Sequence, residues 1–128
     1  KKDDLNECIE KMLAAEVIIL ASPVYFSDVT SQIKALIDRA GMTAIANSAM
    51  FRRKLGASVV VARRGGASHT FASLNNFFFI SQMIVPGSSY WNVGVARDKG
   101  DAERDEEGMR TMVTLGQNMA WLLKKLSA

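Results

Sequence analysis

Two short, continuous runs of apolar residues, separated by stretches with helical periodicity, constrain the fold of this chain more than any other feature. The runs are EVIILAS, residues 16–22, and ASVVVA, residues 57–62. Apolar runs of this length without polar alternation are typical of parallel strands that are buried on both faces. A third short strand is predicted at IVPGSS, residues 84–89. We therefore expect a parallel sheet.

Helical periodicity precedes, separates and follows these runs. Apolar residues recur every three or four positions in residues 3–15, 29–41, 69–83 and 101–126, which predicts four helices. Ser27 or Asp28 is expected to cap the start of the second helix and Gly41 its end. Residues 47–56 are predicted to form a loop or a short helix, and residues 90–101 a loop. This alternation predicts an α/β fold with helices on both faces of the sheet.

The composition favours a single globular domain. The chain has 128 residues, of which 48% are hydrophobic and 23% charged. Its net charge of +3 comes from scattered residues, so we expect no nucleic-acid partner. No apolar segment predicts a membrane span and the first residues do not resemble a signal peptide, so a cytoplasmic protein is expected. The single cysteine, Cys8, allows no disulfide and no all-cysteine metal site within one chain.

The loop after the first apolar run, SPVYFSD at residues 22–28, is one candidate site, because ligands bind beyond the carboxyl ends of parallel strands. Pro23 stiffens this loop. Tyr25 and Phe26 offer surface to a flat ligand, and serine hydroxyls and backbone N–H groups offer donors to polar edges or a phosphate. The alternative is an ordinary strand-to-helix turn whose aromatic side chains pack locally.

The loop after the second run, RRGGASH, is the other candidate. Gly65 and Gly66 allow the backbone to approach a ligand closely, and Arg63 and Arg64 can face an anionic group. The alternative is a flexible turn with two solvated arginines. The sequence contains neither GxGxxG nor a P-loop motif, so neither of these nucleotide-binding motifs is indicated.

Other reactive or aromatic residues give weaker indications. His69, the only histidine, is either a proton donor near the crevice or a residue without catalytic duty at a helix start, and we expect the second. Tyr90 and Trp91 either close over a ligand or anchor a subunit interface. No carboxylate pair, Ser–His–Asp set or metal cluster emerges. If the protein is an enzyme, a bound cofactor is therefore expected to supply the chemistry.

Four segments together resemble the flavodoxin-like NAD(P)H-dependent FMN reductase family, near its iron–sulfur flavoproteins and their cluster-free relatives. They are SPVYFSDVTSQIKALIDRAG, RRGG, PGSSYWNVG and DEEGMRTMVTLGQNMAWLLKKL. The resemblance implies a flavodoxin-like three-layer sandwich with FMN at the carboxyl ends of the strands. It also implies a cytoplasmic oxidoreductase in which NADPH or NADH reduces FMN and an acceptor (a quinone, free flavin or an iron–sulfur centre) reoxidises it. A homodimer or homotetramer is expected.

The resemblance also implies cofactor-binding residues, but no catalytic side chain, because hydride passes directly between the cofactors. The residues that would line the flavin and its ribityl chain are Ser22, Pro23, Val24, Tyr25 and Phe26. Those that would border the isoalloxazine edge are Arg63, Arg64, Gly65 and Gly66. Backbone N–H groups of the second set would stabilise negative charge on the reduced flavin.

The chain departs from the family pattern at its beginning. The strand and the loop rich in Ser, Asn, Gly and Thr that would hold the FMN phosphate are not in the sequence, and neither are the next strand or a cysteine cluster. In a sheet of order 2-1-3-4-5, strands 1 and 2 are then expected to be lacking. Residues 1–128 are therefore expected to form a single, partial flavodoxin-like domain.

Two consequences are expected from the lack of these strands. The edge of EVIILA should be covered by another chain, an N-terminal fragment or a swapped copy, and FMN affinity should be low. A non-enzymatic flavodoxin-like electron carrier and a cofactor-free truncated α/β module remain the alternatives.

Overall fold

Strands and helices alternate along the chain. In the computed structural model, which describes residues 3–127, the elements are α1 (Leu5–Ala14), β1 (Val17–Pro23), α2 (Ser31–Ala46), β2 (Leu55–Ala62), α3 (Ala67–Ile80), β3 (Val93–Val95), α4 (Asp101–Arg104) and α5 (Glu106–Leu126). None of the helices in this range is both long and apolar enough to cross a bilayer. The order confirms the predicted α/β class.

The three strands form one parallel sheet in the order β1-β2-β3. The register of β1 and β2 runs from Val17 opposite Leu55 to Pro23 opposite Val61. β3 is shorter and pairs only with the last residues of β2. Because the strands run in the same direction, the loops that follow them leave from the same edge of the sheet.

The sheet lies between two helical layers. On one face β1 and β2 pack with α1, α2 and α3 in an apolar cluster that includes Ile9, Met12, Ile18, Leu20, Ala40, Val60, Leu74, Phe77 and Phe78. On the other face a smaller cluster joins Leu55 and Ala57 of β2 to Leu115 and Met119 of α5. These two clusters confirm the predicted three-layer arrangement.

β1 is buried on one face only. Ile18 and Leu20 are buried, whereas Ala21 faces solvent and Ile19 is 54% exposed. The expected burial on both faces is therefore wrong for β1, although it is confirmed for β2. The two strands differ because side chains of α5 pack on Leu55 and Ala57 of β2, while the described helices leave Ile19 and Ala21 of β1 uncovered. β1 is also an edge strand of the described sheet.

The third strand does not lie where it was predicted. Of residues 84–89, Ile84 makes one isolated bridge to the start of β2. Pro86 lacks an N–H donor and interrupts the ladder after that bridge. The strand lies instead at Val93–Val95, inside the predicted loop. Just before it, the buried Asn92 side-chain amide donates to a β2 carbonyl oxygen at 3.0 Å and fixes the start of the strand.

Helix α2 begins and ends later than predicted. Its N-cap is Thr30, whose backbone is extended and whose hydroxyl accepts the N–H three residues further on. Ser27 and Asp28 do not cap the helix, because they belong to a tight turn. Gly41, the expected C-cap, lies inside the helix, which continues because Ala44 is buried against the core one turn later.

Other boundaries differ by a few residues. The ambiguous segment at residues 47–56 forms turns and then joins β2. The helix predicted at residues 69–83 is α3, which begins and ends slightly earlier.

The helix predicted at residues 101–126 is interrupted at Asp105, so that α4 and α5 are separate. The Asp105 carboxylate caps α5 by accepting the Gly108 N–H at 3.0 Å. Its second oxygen accepts the Val95 N–H at 2.7 Å. One side chain therefore ties the end of β3 to the start of α5.

Gly108 is required by the close approach of β3 and α5. A Cβ at this position would lie 2.9 Å from Cγ of Asp105 and 3.2 Å from Cα of Gly94. Because two backbone donors hold the Asp105 carboxylate in place, Gly108→Ala is expected to lower the free energy of unfolding by about 1–3 kcal/mol. Urea denaturation followed by circular dichroism measures this change.

Gly116→Ala is the matched control in the same helix. A Cβ at Gly116 meets nothing within 4 Å. The higher helix propensity of alanine is therefore expected to raise the free energy of unfolding by up to about 1 kcal/mol. Equal stability of the Gly108 and Gly116 variants would contradict the proposed packing.

Asp105 also makes stability depend on pH. The N–H of Val95 first, and that of Gly108 second, hold the pKa of the Asp105 carboxyl below its ordinary value. Its stabilising effect is therefore complete above the unfolded-state pKa of about 3.9 and is lost as the pH falls through the lower folded-state pKa. Asp105→Ala is expected to cost about 1 kcal/mol at pH 7, and less below about pH 4.

Denaturation of Asp105→Ala between pH 7 and pH 3 tests this prediction, with Asp105→Asn as the control. The asparagine oxygen keeps the bond to the Gly108 N–H but does not titrate. The stability difference between the two variants should therefore stay constant with pH. If Asp105→Ala lowers the free energy of unfolding by the same amount at pH 3 as at pH 7, the charge of the carboxylate does not contribute to stability.

Candidate functional site

Two loops at the carboxyl edge of the sheet pack against each other. The first loop, residues 24–30, follows β1, and the second loop, residues 63–66, follows β2. The Val24 N–H donates to a β2 carbonyl oxygen at 2.9 Å. At the other end of the contact Gly66 has a φ of 84°, and a Cβ there would lie 2.8 Å from Cα of Ser27. The two predicted loops are therefore in direct contact.

The first loop contains a strained two-residue turn. Tyr25 and Asp28 exchange both backbone hydrogen bonds, at 3.0 and 3.1 Å. Between them Phe26 and Ser27 have φ angles of 50° and 63°, which are typical of a type I′ turn. This turn usually contains asparagine or glycine, and other residues cost about 1–2 kcal/mol each in the left-handed region. Backbone strain of this kind occurs preferentially at functional sites.

This turn presents aromatic side chains to solvent. Phe26 is 107% exposed relative to its reference, and Tyr25 is also exposed. The alternative in which both aromatics pack locally is therefore wrong. Their rings are free to cover a flat ligand.

Asp28 closes the turn and joins it to α3. Its carboxylate accepts the Val29 N–H at 2.8 Å. That N–H, then the Ser73 hydroxyl, and finally the charges of His69 and Lys34 hold the pKa of Asp28 below its ordinary value. The His69 Nε2 lies 3.9 Å from the Asp28 carboxylate. The structure thus places His69 beside the first loop.

Ser22 and Pro23 occupy the end of β1. Ser22 is buried, and its hydroxyl donates to the Pro23 carbonyl at 2.8 Å and accepts the Thr30 N–H at 3.1 Å. This hydroxyl therefore fixes the two ends of the first loop. Pro23 is exposed and pairs with β2 at the last position of the ladder.

A cleft of about 610 Å³ opens beside the two loops. Its lining brings together four of the predicted residues, Val24, Arg63, Arg64 and Gly65, with Arg97. A Cβ at Gly65 would meet nothing within 4 Å, so the second loop leaves open space on this side. The volume is within the range of about 300–1,000 Å³ that is usual for small-molecule sites.

Arg97 is a lining residue that the sequence did not predict. Arg97 follows β3 at the same edge of the sheet as the other two loops. The sequence signal for Arg97 is the short apolar run VGV that precedes it. Three residues are too few to predict a strand, so the run can be recognised as a strand only when its pairing with β2 is known. The backbone of Arg97 is fixed by Asp101, whose carboxylate accepts the N–H groups of Arg97 at 3.1 Å and Asp98 at 2.8 Å.

The remaining candidates lie elsewhere. Tyr90 and Trp91 are exposed, stack edge to face with ring centroids 4.7 Å apart, and precede β3. Cys8 is half-buried on α1. Among residues 3–127 there is no group of three or more His, Cys, Asp or Glu side chains that could hold a metal ion.

A family model and several known proteins are similar to this chain. The family model described as NADPH-dependent FMN reductase matches residues 1–98. An iron–sulfur flavoprotein of Methanocaldococcus jannaschii is 39% identical over 129 aligned residues, which cover 95% of this chain and 66% of that relative. The chain therefore spans about two thirds of the length of this relative.

Solved structures share the fold at low sequence identity. The Trp repressor binding protein from Bacillus subtilis superposes with a TM-score of 0.77 at 20% identity, over 90% of this chain and 71% of that one. RosB with a bound 8-demethyl-8-formylriboflavin-5′-phosphate intermediate superposes with a TM-score of 0.73 at 18% identity, over 98% of this chain and 55% of that one. The predicted flavodoxin-like fold is thereby confirmed.

Gly66 is expected to be indispensable for the contact between the loops. In Gly66→Ala the new methyl group would clash with Cα of Ser27. The alanine would also have to keep the positive φ of Gly66. A loss of about 1–3 kcal/mol in the free energy of unfolding is expected. Gly65→Ala is the control, because it has open space at Cβ, and it should stay within about 0.5 kcal/mol of wild type. Thermal denaturation of the two variants measures this difference. Equal melting temperatures would contradict the close contact between Gly66 and Ser27.

Proposed function

The chain belongs to the NADPH-dependent FMN reductase family, and we propose that it forms the part of a flavin-dependent oxidoreductase site that covers the flavin ring. The observation that carries this proposal is the contact between the two loops through Gly66. The first loop reaches the cleft through Val24, next to arginine and glycine of the second loop, whereas Tyr25 and Phe26 are exposed outside its lining.

The residues of the site fit FMN. A flavin ring is flat and mostly apolar, with polar atoms along one edge, so it needs apolar cover and hydrogen-bond donors together. Val24 and the exposed aromatic turn supply the cover. The backbone N–H groups of Gly65 and Gly66 donate to no acceptor within residues 3–127, which leaves donors for the polar edge.

Bound FMN would supply the redox chemistry, with NADPH or NADH as the hydride donor and a quinone, free flavin or, one electron at a time, an iron–sulfur centre as the acceptor. The chain's own residues bind and orient the ring. Arg63, Arg64 and the N-terminus of α3 provide positive potential, which stabilises negative charge on the ring. The rigid first loop keeps the ring in place, because Ser22 and Asp28 fix both of its ends.

A cysteine-ligated iron–sulfur cluster does not fit the residues of this chain. The sequence has one cysteine, and no metal-ligand group exists in the described part. We therefore propose no electron transfer through a cluster on these residues. A small molecule or a redox protein is the proposed acceptor, and a cytoplasmic homodimer or homotetramer is the proposed form.

The test is a visible absorption spectrum with added FMN, recorded for the 128-residue chain and for the complete gene product that contains it. Anaerobic NADPH should bleach the flavin band of the complete product within seconds. A bound flavin that no nicotinamide bleaches would favour an electron carrier instead. Absence of flavin binding from both proteins would overturn the proposal.

Phe26 is expected to contribute to flavin affinity through stacking. Aromatic stacking on a base-like ring contributes about 1–3 kcal/mol, so Phe26→Ala should weaken FMN binding by about tenfold. Quenching of FMN fluorescence measures this dissociation constant in the complete gene product. Phe79→Ala is the control, because Phe79 is an exposed phenylalanine in the last turn of α3, away from the cleft. An equal effect of both substitutions would show that Phe26 does not stack on the flavin.

A further inference from the structure

An open apolar groove runs between α2 and α3, in the helical layer on the other side of the sheet from α5. It has a volume of about 480 Å³ and continues into a depression of about 210 Å³ at the ends of the two helices. Both parts are lined by Gly41, Ile45 and Ile80. The other apolar residues of the larger part are Ile37, Met42 and Phe77. We call this continuous surface the α2–α3 groove.

Large aliphatic side chains of this groove are exposed to solvent. Met42 and Ile80 are both 69% exposed, and Ile45 is 66% exposed. Burial of such side chains is the main favourable term in protein association. Single exposed apolar residues are normal on a protein surface, whereas a contiguous patch marks an interaction site. The groove therefore indicates a face that a partner covers.

The described part of the chain does not supply this partner. Among residues 3–127, only α2, α3 and the residues directly after them line the groove. Helix α1 packs on a different side of α2, where Arg39 pairs with Asp3 at 2.6 Å. The partner is therefore a segment or a molecule outside residues 3–127.

The charges at the groove fit a partner without net charge. Asp38 is the only charged side chain in the lining that the structure describes, and Lys34 pairs with it one turn away at 2.5 Å. Ser73 and Asn76 in the lining are neutral and can exchange hydrogen bonds with the same groups of another copy. An anionic membrane or a highly charged protein would find no complementary charge here. A second copy of the chain meets no unpaired like charge.

The groove also contains both shapes that a contact between identical surfaces needs. In a two-fold contact one patch faces itself, so it must carry projecting side chains and a depression that receives them. Met42 and Ile45 project from α2 into solvent. Beside them, Gly41 leaves the groove open down to the ring of Phe77, because even an added Cβ would lie 4.0 Å from this ring. The aliphatic side chains of one copy can therefore enter the groove of the other at Gly41.

We propose that the α2–α3 groove is a two-fold interface between two copies of this chain, in which α2 and α3 of both copies form a layer of four packed helices. The inference rests on the homo-oligomeric form in the proposed function and gives that form a contact surface, but it does not depend on flavin chemistry. Packing of apolar ridges into grooves is the usual way in which helices bury such a face. The interface lies apart from the cleft, since no described residue lines both.

The mass of the complete gene product, measured by sedimentation velocity at micromolar concentration, tests this interface. The wild type should be a dimer, or a tetramer that contains this dimer. Ile45→Glu should halve the mass, because it places a carboxylate of each copy in the apolar contact without a partner. Circular dichroism should show an unchanged fold, since Ile45 is exposed within one copy.

Leu126→Glu is the matched control. Leu126 is also an aliphatic residue at the end of a helix and is 53% exposed, but it lies outside the groove. This variant should keep the wild-type mass. A monomeric wild type would show that something other than a second copy covers the groove and would overturn the proposal. An unchanged mass in Ile45→Glu, or an equal loss in both variants, would overturn it as well.

Gly41→Ala separates the contact between copies from the fold of one copy. Alanine favours a helix, and its Cβ would make only an ordinary contact with Phe77. Within the dissociated Ile45→Glu variant, the added Gly41→Ala substitution should therefore not lower the urea midpoint. In the wild type the same methyl group occupies the depression, so the dissociation constant of the dimer should rise about tenfold. An unchanged dissociation constant would contradict insertion at Gly41.

Absorption spectra of the same samples with FMN and NADPH separate this inference from the proposed function. If NADPH bleaches a bound flavin but Ile45→Glu does not change the mass, the reductase function stands and the inference fails. If no flavin binds while Ile45→Glu halves the mass, the interface stands and the proposed reductase function fails.

Discussion

The parallel pairing of β1 with β2 is the constraint on which the site depends. Seven residues of β1 pair in one register with β2, and the last pair is Pro23 with Val61. A parallel ladder brings both carboxyl ends to one edge of the sheet, so each strand delivers its loop to the same place. β3 extends the ladder at this end only, and it therefore adds Arg97 to the same edge.

Stiffness of the first loop follows from hydrogen bonds within the loop and from the contact of Asp28 with α3. The buried Ser22 hydroxyl joins the ends of the loop. The Asp28 carboxylate accepts the N–H of the next residue and lies near His69 of α3. These bonds maintain positive φ angles at Phe26 and Ser27, which the chain would otherwise avoid. A ring that is held exposed in this way loses little further conformational entropy when a flat ligand covers it. The strained conformation is therefore consistent with the proposed role of this loop in covering a flavin.

The sequence predicts the elements whose signals are local and misses those set by tertiary contacts. Apolar runs reveal β1 and β2, because burial of a strand requires such residues. The exposure of Ile19 depends on which helices cover that face of the sheet, and no local sequence pattern predicts this coverage. Gly41 wrongly predicts the end of α2, because a glycine in the helix interior resembles a C-cap in sequence. β3 has only three residues, too few for periodicity, so the position of Arg97 could be recognised only from the ladder.

The division of roles among the charged side chains connects the fold to the proposed chemistry. Asp28, Asp101 and Asp105 each accept backbone N–H groups at the carboxyl edge. Acids that are held in this way shape the loops and compete little for the arginines nearby. The cations at the same edge come from side chains that the fold does not use internally, so their charge remains available to a ligand. The proposed stabilisation of a reduced flavin requires such a surplus of positive charge, and committing the acids to the backbone produces it without additional basic residues.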